Sequence, residues 1–164
     1  MRGLRLRQEG IIIRRVVSDD LPVVLSLVRQ LAGGVHSRQS NAVIAQAFQG
    51  LIDGEAQEGF VATLHQRAIG FISLYYMKVL HYGGLVASIQ ELVVTEEFRG
   101  RGVDQALLEH AKKRARELGC AGLEMACGLR DRPEKAFRCL DGIRPVSARY
   151  LPAAPVSRAG AEIL

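Results

Sequence analysis

The chain has 164 residues, which is within the usual length of one domain and enough to bury a substantial core. Hydrophobic residues at 48% and charged residues at 24% are typical of an ordinary soluble globular protein. The net charge of +5 favours anionic partners, but the scattered arginines and few aromatic residues argue against nucleic acid.

Targeting segments and cysteine motifs are not indicated. The basic N-terminus has no apolar run of signal-peptide length, and no later segment is long enough to span a membrane. We therefore expect a cytoplasmic protein without membrane contact. The three cysteines (Cys120, Cys127 and Cys139) lack a C-x-x-C spacing, so neither a disulfide framework nor a metal site is expected.

The first half of the chain predicts one strand, two helices and three more strands. In order, these are a strand at residues 11–17, helices at 21–32 and 41–52, and strands at 59–65, 68–76 and 85–94. Ser18, Asp19 and Asp20 offer N-cap chemistry to the first helix. The second and third strands are predicted to form a hairpin with a tight connection at Gln66 and Arg67.

The second half predicts a crossover unit and a less regular end. The predicted elements are a helix at residues 104–118, a strand at 122–127, a helix from the capping box at 131–134 to 140, and a strand near 146–151. In the first of these helices, an apolar stripe contains Val103, Leu107, Leu108, Ala111, Ala115 and Leu118. Its polar residues (Lys112, Lys113, Arg116 and Glu117) are expected to lie away from that stripe.

This order of elements predicts a mixed α/β fold with an antiparallel first half and a later βαβ crossover. No internal repeat or linker divides the chain, so a single domain over residues 1–164 is expected. Residues 1–10 form an N-terminal extension in this interpretation, and residues 152–164 form an irregular tail.

The most informative stretch is "TEEFRGRGVDQALLEHAKKRAREL", residues 95–118. A glycine-rich turn between a strand and a helix N-terminus makes an anion site, because free N–H groups and the helix dipole point outward. The triphosphate pattern G-x-x-x-x-G-K-[ST] is absent. A dinucleotide site is weighed as an alternative: Glu124 has the right spacing, but Gln105 replaces the third glycine and the preceding strands form an antiparallel meander.

The segment "LVVTEEFRGRGVDQALL" resembles the signature of the GCN5-related N-acetyltransferase superfamily, which reads [QR]-x-x-G-x-[GA] after an apolar strand. The resemblance implies the acyl-CoA N-acyltransferase fold, a mostly antiparallel central sheet with a βαβ crossover that binds acetyl-CoA. The implied cofactor-binding residues are, along the pantetheine arm, Leu92, Val93 and Val94, and, around the pyrophosphate, Arg99, Gly100, Arg101, Gly102, Val103, Asp104 and Gln105.

One residue departs from this pattern. Asp104 stands where the superfamily usually has Gly or Ala, which places a carboxylate close to the expected pyrophosphate. At a separation of ~4 Å and an effective dielectric constant of 20, two like charges repel by roughly 4 kcal/mol. The alternative interpretation is a carboxylate that stabilises the N-terminus of the helix through its dipole.

The resemblance also implies catalytic roles. Glu91, just before the pantetheine residues, is the candidate general base, whereas strand alternation places Gln90 on the opposite face. A backbone N–H near Val93 or Val94 is the implied oxyanion donor. Where many members carry an acidic tyrosine, this chain has Arg138, which cannot donate a proton at neutral pH. Tyr150 is the candidate acid, with Cys139, Tyr75 or water as alternatives.

We therefore expect an enzyme that acetylates a primary amine by direct attack in a ternary complex. The segment "HYGGLVASIQELVV" resembles a branch rich in bacterial small-molecule N-acetyltransferases, so a small-molecule amine is the expected acceptor and a peptide amine stays open. The alternative function is an acetyl-CoA-binding or regulatory module with little turnover. The resemblance further implies a homodimer formed through the C-terminal strands.

Overall fold

A computed structural model of the chain describes residues 10–31 and 41–125. The α-helices and strands in these ranges are β1 (Ile11–Arg15), α1 (Leu21–Leu31), α2 (Asn41–Asp53), β2 (Gln57–Leu64), β3 (Arg67–Val79), β4 (Gly84–Val94), α3 (Val103–Glu117) and β5 (Gly122–Met125). The predicted helix at 131–140 and strand near 146–151 lie outside the described residues. None of the three helices is long and apolar enough to cross a membrane.

The five strands form one mixed sheet in the order β1-β2-β3-β4-β5. The first four strands are antiparallel neighbours, and β5 lies parallel to β4 after the connection through α3. A parallel neighbour needs a crossover of this kind, usually a helix. The predicted mixed α/β fold, with an antiparallel first half and a βαβ crossover, is confirmed.

Helices cover both faces of the sheet, and each face has its own hydrophobic cluster. On one face, α3 packs through Val103, Leu107, Ala111 and Ala115 against strand residues that include Ile72, Leu74 and Ile89. On the other face, α1 and α2 pack through Val24, Leu27, Phe48 and Leu51 against Val61, Phe71 and Val93. We call these the α3 face and the α1/α2 face of the sheet.

The N-terminus of α3 lies very close to the sheet at Gly70. A Cβ atom at this position would meet side-chain atoms of Leu107 and Val103 at 3.1 Å each. Such contacts are shorter than ordinary van der Waals separations, so a side chain at position 70 would push the helix away from β3. Glycine at this position therefore fixes the start of α3 against the sheet, next to the end of β4.

The β2–β3 hairpin turn differs from the predicted one by one residue. Leu64 pairs with Arg67, so the two connecting residues are His65 and Gln66, and the predicted connection at Gln66 and Arg67 is wrong. Both connecting residues have positive φ, at 47° and 66°, which is the backbone of a type I′ turn. At this turn the sequence has no Asn-Gly or Asp-Gly pair, the usual signal for a two-residue hairpin connection.

Two side chains of the helix predicted at residues 104–118 lie elsewhere than its pattern predicts. Lys112 is only 8% exposed rather than pointing away from the core, and its ammonium group binds Glu109 at 2.6 Å. Its hydrocarbon stem can cover apolar surface while the charged end reaches a partner. Leu118 follows the end of the helix and is exposed, because α3 ends at Glu117.

The residues before α1 form a short ion-paired turn. Asp20 accepts two hydrogen bonds from the Arg14 guanidinium, at 2.7 and 2.9 Å, and one from the Val17 N–H at 2.8 Å. The hydrogen bond from Arg14 is the largest cause that holds the pKa of Asp20 below its ordinary value. The predicted N-cap cluster therefore ties the end of β1 to the start of α1.

Candidate functional site

The loop between β4 and α3 has an open, glycine-dependent backbone. Gly100 and Gly102 have φ angles of 72° and 86°, in the left-handed region that side chains strain to enter. Apart from the adjacent residues, no atom of the described chain lies within 4 Å of a Cβ built on either glycine, so the space in front of both is open among the described residues. The predicted glycine step is therefore a real turn whose backbone a ligand can approach closely.

This loop presents backbone N–H groups that have no acceptor in the part of the chain that the structure describes. Arg99 and Arg101 donate their N–H groups to the carbonyls of Glu96 and Phe98. Within the described residues, no backbone acceptor is found for the N–H groups of Gly100, Gly102, Val103, Asp104 and Gln105. The last three belong to the first turn of α3, where N–H groups have no partner inside the helix.

The loop therefore fits the pyrophosphate of acetyl-CoA. Free N–H groups at the N-terminus of a helix attract an anion through hydrogen bonds and through the helix dipole. Asp104 lies in the first turn and is exposed, and the residue at the N-cap, Gly102, has no side chain to cap the helix. The carboxylate is thus free to turn toward solvent or toward a bound anion.

The two arginines of the loop are held differently. Arg99 folds back on the end of β4, where its Nε donates to the Val94 carbonyl at 3.2 Å and its Nη1 lies 3.5 Å from Glu96. Arg101 lies over the ring of Phe98, with its guanidinium carbon 5.2 Å from the ring centre. Both guanidinium groups therefore stay beside the loop and add positive charge there.

Along the end of β4, one edge has no partner strand among the described residues, and we call it the open edge. The described pairing with β5 extends to Ile89 and Met125, the last described residue, while β3 pairs with β4 as far as Val94. The Thr95 N–H donates to Ile69 of β3, and the Glu91 N–H also points toward β3. Since backbone groups alternate sides along an antiparallel strand, Leu92 and Val94 direct theirs toward the open edge, and Val93 toward β3.

A β-bulge changes the side-chain pattern just before this edge. Ile72 pairs with Leu92 and Leu74 with Ile89, so Gln90 and Glu91 both face the single residue Ser73. The Glu91 carboxylate bonds Ser73, and the Gln90 side chain bonds Ser88 at 2.9 Å. Both side chains therefore lie on the α1/α2 face, and the expectation that Gln90 points to the opposite face is wrong.

Tyr75 lies on the same face as Glu91. It pairs with Ser88 of β4 and packs against the cluster under α1 and α2. Burial, and then the negative charge of Glu91, raise the pKa of the Tyr75 hydroxyl. Tyr75 therefore stays protonated at neutral pH. Tyr150 and Cys139, the other side chains considered as acids, lie outside the described residues.

A cavity of about 530 Å³ lies between α1 and the end of β4. It is lined by Val23, Ser26, Leu27 and Gln30 of α1, by Arg67 and Ala68 of β3, and by Thr95, Glu96 and Glu97. The hydroxyl of Thr95 is buried and has no hydrogen-bond partner among the described residues. The cavity lies on the α1/α2 side of the sheet, the same side as the Glu91 side chain, but Glu91 is not among its lining residues. In residues 10–31 and 41–125, no group of three His, Cys, Asp or Glu side chains could hold a metal ion.

The sheet, the crossover and the glycine loop define an acyltransferase fold, and the family comparison agrees. The profile of the Acetyltransferase (GNAT) family matches residues 25–137. That match spans more than half of the chain and includes β4, the loop and α3. The chain belongs to the GNAT acetyltransferase family, and its membership supports N-acetyltransferase activity.

One relative is similar to the chain in sequence, and several solved structures are similar to it in fold. An aminoalkylphosphonate N-acetyltransferase of Salmonella typhimurium (strain LT2) is 27% identical over 145 residues, which cover 84% of this chain and 88% of the relative. A transcriptional regulator from Bacillus halodurans C-125 has a TM-score of 0.69 at 20% identity, with 94% of this chain and 99% of that chain covered. An aminoglycoside acetyltransferase from an uncultured soil metagenomic sample, solved with sisomicin, has a TM-score of 0.61 at 19% identity, with 76% and 82% covered.

Proposed function

We propose that the protein transfers the acetyl group of acetyl-CoA to a primary amine of a small molecule, by direct attack in a ternary complex. The observation that carries the proposal is the row of free backbone N–H groups at the N-terminus of α3, directly after the strand with Glu91. The family match and the name of the 27% identical relative support both the reaction type and a small amine as acceptor.

The loop and the open edge of β4 bind the acetyl donor in this proposal. The N–H groups of Gly100 and residues 102–105 hold the pyrophosphate, and the adjacent Arg99 and Arg101 add positive charge. The backbone groups of Leu92 and Val94 bind the pantetheine arm as a further strand would. Val93 contributes its side chain to the core under α1 and α2. When bound, acetyl-CoA supplies an acetyl group activated as a thioester.

Glu91 accepts the proton of the acceptor amine. A primary ammonium group has a pKa of about 10.4 and must lose a proton before its nitrogen can attack. The Glu91 carboxylate lies on the α1/α2 face at the start of the open edge, within the bulge. The N–H of Leu92 or Val94 donates to the thioester oxygen as that oxygen gains negative charge.

A tyrosine protonates the leaving sulfur in this proposal, or water does. A thiol with a pKa of about 8.5 leaves as a thiolate without strict need of an acid. Tyr75 shares the face of Glu91 and carries its proton at neutral pH, because burial raises its pKa. Tyr150 stays the other candidate donor. The two are separated by comparing the turnover of Tyr75→Phe and Tyr150→Phe.

A coupled assay tests the proposal. Purified protein is mixed with acetyl-CoA and a panel of aminoalkylphosphonates, aminoglycosides and peptide amines, and free thiol is measured. We expect acceptor-dependent thiol release with a small amine, and a kcat lowered by roughly 10²–10⁴ in Glu91→Gln. Glu55→Gln is the matched control, since Glu55 is exposed and outside the site, and should retain the wild-type rate.

Thermal shifts with the nucleotides alone separate the alternatives. Acetyl-CoA should raise the melting temperature, and NADH should not. Stabilisation by acetyl-CoA without thiol release for any amine would instead identify an acetyl-CoA-binding or regulatory module. Stabilisation by NADH alone would contradict acetyl-CoA as the donor.

A further inference from the structure

The β-bulge concentrates two polar side chains of β4 on one small residue of β3. In the register of these strands, Ser73 is the single partner of Gln90 and Glu91. Ser73 is fully buried, with 0% of its surface exposed. Its hydroxyl therefore has little competition from water for the hydrogen bonds it makes.

The Ser73 hydroxyl bonds Glu91 twice. It accepts a hydrogen bond from the Glu91 backbone N–H at 3.0 Å. It also donates to the Glu91 carboxylate. A serine hydroxyl has one donor and two acceptor lone pairs, so its only donor is assigned to this carboxylate. One side chain therefore fixes both the backbone and the carboxylate of the same residue.

The second polar residue of the bulge has its own partner. Gln90 donates to the Ser88 hydroxyl at 2.9 Å, and Ser88 is only 3% exposed. Because the two serines serve different side chains, Gln90 does not compete with Glu91 for Ser73. Ser88 is thus a close match to Ser73 in size, burial and face, but it has no bond to the carboxylate.

No cation in the described ranges forms an ion pair with Glu91. The described salt bridges join other carboxylates, such as Glu58, Glu96 and Glu109, to arginines or lysines. A carboxylate bound to an arginine would be a weaker base and would be turned toward that partner. The Ser73 hydroxyl directs the Glu91 carboxylate without an ion pair to a described cation.

We infer that Ser73 is a positioning residue for Glu91, which sets the orientation of the carboxylate that receives the amine proton. The inference rests on the proposed function. Ser73 itself stays buried beneath the bulge and does not reach the acceptor. Without its hydroxyl, the carboxylate loses its fixed position, and displacement of a catalytic group by about 1 Å costs on the order of 10²-fold in rate.

The experiment compares Ser73→Ala with Ser88→Ala in the acetyl-transfer assay and in acetyl-CoA titrations. We expect Ser73→Ala to lower kcat by 10- to 100-fold and to leave the Kd for acetyl-CoA within about twofold. Ser88→Ala should leave both within about twofold, since among the described residues the Ser88 hydroxyl accepts a hydrogen bond from Gln90 and makes none with Glu91. Ser73→Cys, which keeps the size but donates weakly, should also lose rate and provides a second variant if Ser73→Ala does not fold.

A double variant separates positioning from a general structural effect. In a Glu91→Gln background, Ser73→Ala should cause no further loss of kcat, because the two residues act as a unit. Two results would overturn the inference while turnover by the wild type upheld the proposed function. One is an equal kcat for Ser73→Ala and Ser88→Ala. The other is full additivity of the kcat losses of Ser73→Ala and Glu91→Gln. Absence of wild-type turnover with every amine would instead overturn the proposed function, and the inference with it.

Discussion

Arg114 of α3 donates two hydrogen bonds to the Glu58 carboxylate of β2, over 2.8 and 2.9 Å. The Tyr76 hydroxyl of β3 donates to the same carboxylate at 2.6 Å. Burial alone would raise the pKa of Glu58, but the hydrogen bonds from Arg114 and Tyr76 outweigh it and hold that pKa below its ordinary value. This network fixes the C-terminal half of α3, whose N-terminus forms the proposed pyrophosphate site.

Removal of Arg114 should therefore destabilise the fold. Arg114→Leu leaves the Glu58 carboxylate buried without its main partner, and we expect a loss of roughly 3 kcal/mol in the free energy of unfolding. Urea denaturation measures it. Arg116→Leu is the matched control, because Arg116 is an exposed residue of the same helix and should change stability by about 0.5 kcal/mol or less. Equal losses in both variants would contradict the role of the pair.

The fold could be predicted from the sequence because local patterns and global architecture agree. The β-branched and apolar runs, the N-cap residues before α1 and the stripe of α3 identified every α-helix and strand of the described ranges within a few residues. The hairpin turn was misplaced because His65 and Gln66 adopt positive φ without a glycine or asparagine. Lys112 was predicted to lie away from the core because it is charged, but its apolar stem allows the side chain to be buried.

Only part of the candidate site could be predicted from the sequence. The glycine step could be predicted because glycines before a helix leave N–H groups free, and this chemistry is local. The β-bulge could not, because an extra residue in one strand depends on the partner strand and has no local pattern. The proposed role of Ser73 depends on the same pairing, since Ser73 lies 18 positions before Glu91 in the chain.

Gly102→Ala should weaken acetyl-CoA binding more than its effect on stability explains. Alanine at φ 86° is strained by about 1–2 kcal/mol, and its methyl group would project into the open space of the loop. We expect roughly tenfold weaker binding, measured by calorimetry. Gly119→Ala is the matched control: Gly119 has φ 67°, nothing lies near its Cβ position, and it follows the other end of α3. Gly119→Ala should lose similar stability and keep the affinity for acetyl-CoA. Equal acetyl-CoA affinities in the two variants would contradict the loop as the binding site.

Asp104→Asn should tighten acetyl-CoA binding. The substitution keeps the shape of an exposed side chain in the first turn of α3 and removes the charge that opposes a bound pyrophosphate. Because solvent screens exposed charges, we expect the binding free energy to improve by about 0.5–1 kcal/mol. This is roughly a two- to fivefold gain in affinity for acetyl-CoA, and it should shrink in high salt. Calorimetric titrations at low and high salt measure it. Unchanged affinity with a lower melting temperature would show that Asp104 serves only the helix dipole.

His110 should make stability fall as the pH drops below neutrality. The centres of the His110 and Phe60 rings lie 4.5 Å apart in an edge-on arrangement. The Nε2 atom of His110 is buried without a partner among the described residues. Burial is the main cause that lowers the pKa of His110 below the ordinary value of 6.5. As the pH falls below that value, the unfolded chain binds a proton before the folded protein does, so stability is lost at up to about 1.4 kcal/mol per pH unit. His110→Phe should flatten the change in melting temperature between about pH 7.5 and 5.5. His65→Asn is the control: His65 is exposed, and this variant should show the same change in melting temperature as the wild type. A wild-type change in melting temperature in His110→Phe would contradict the role of His110.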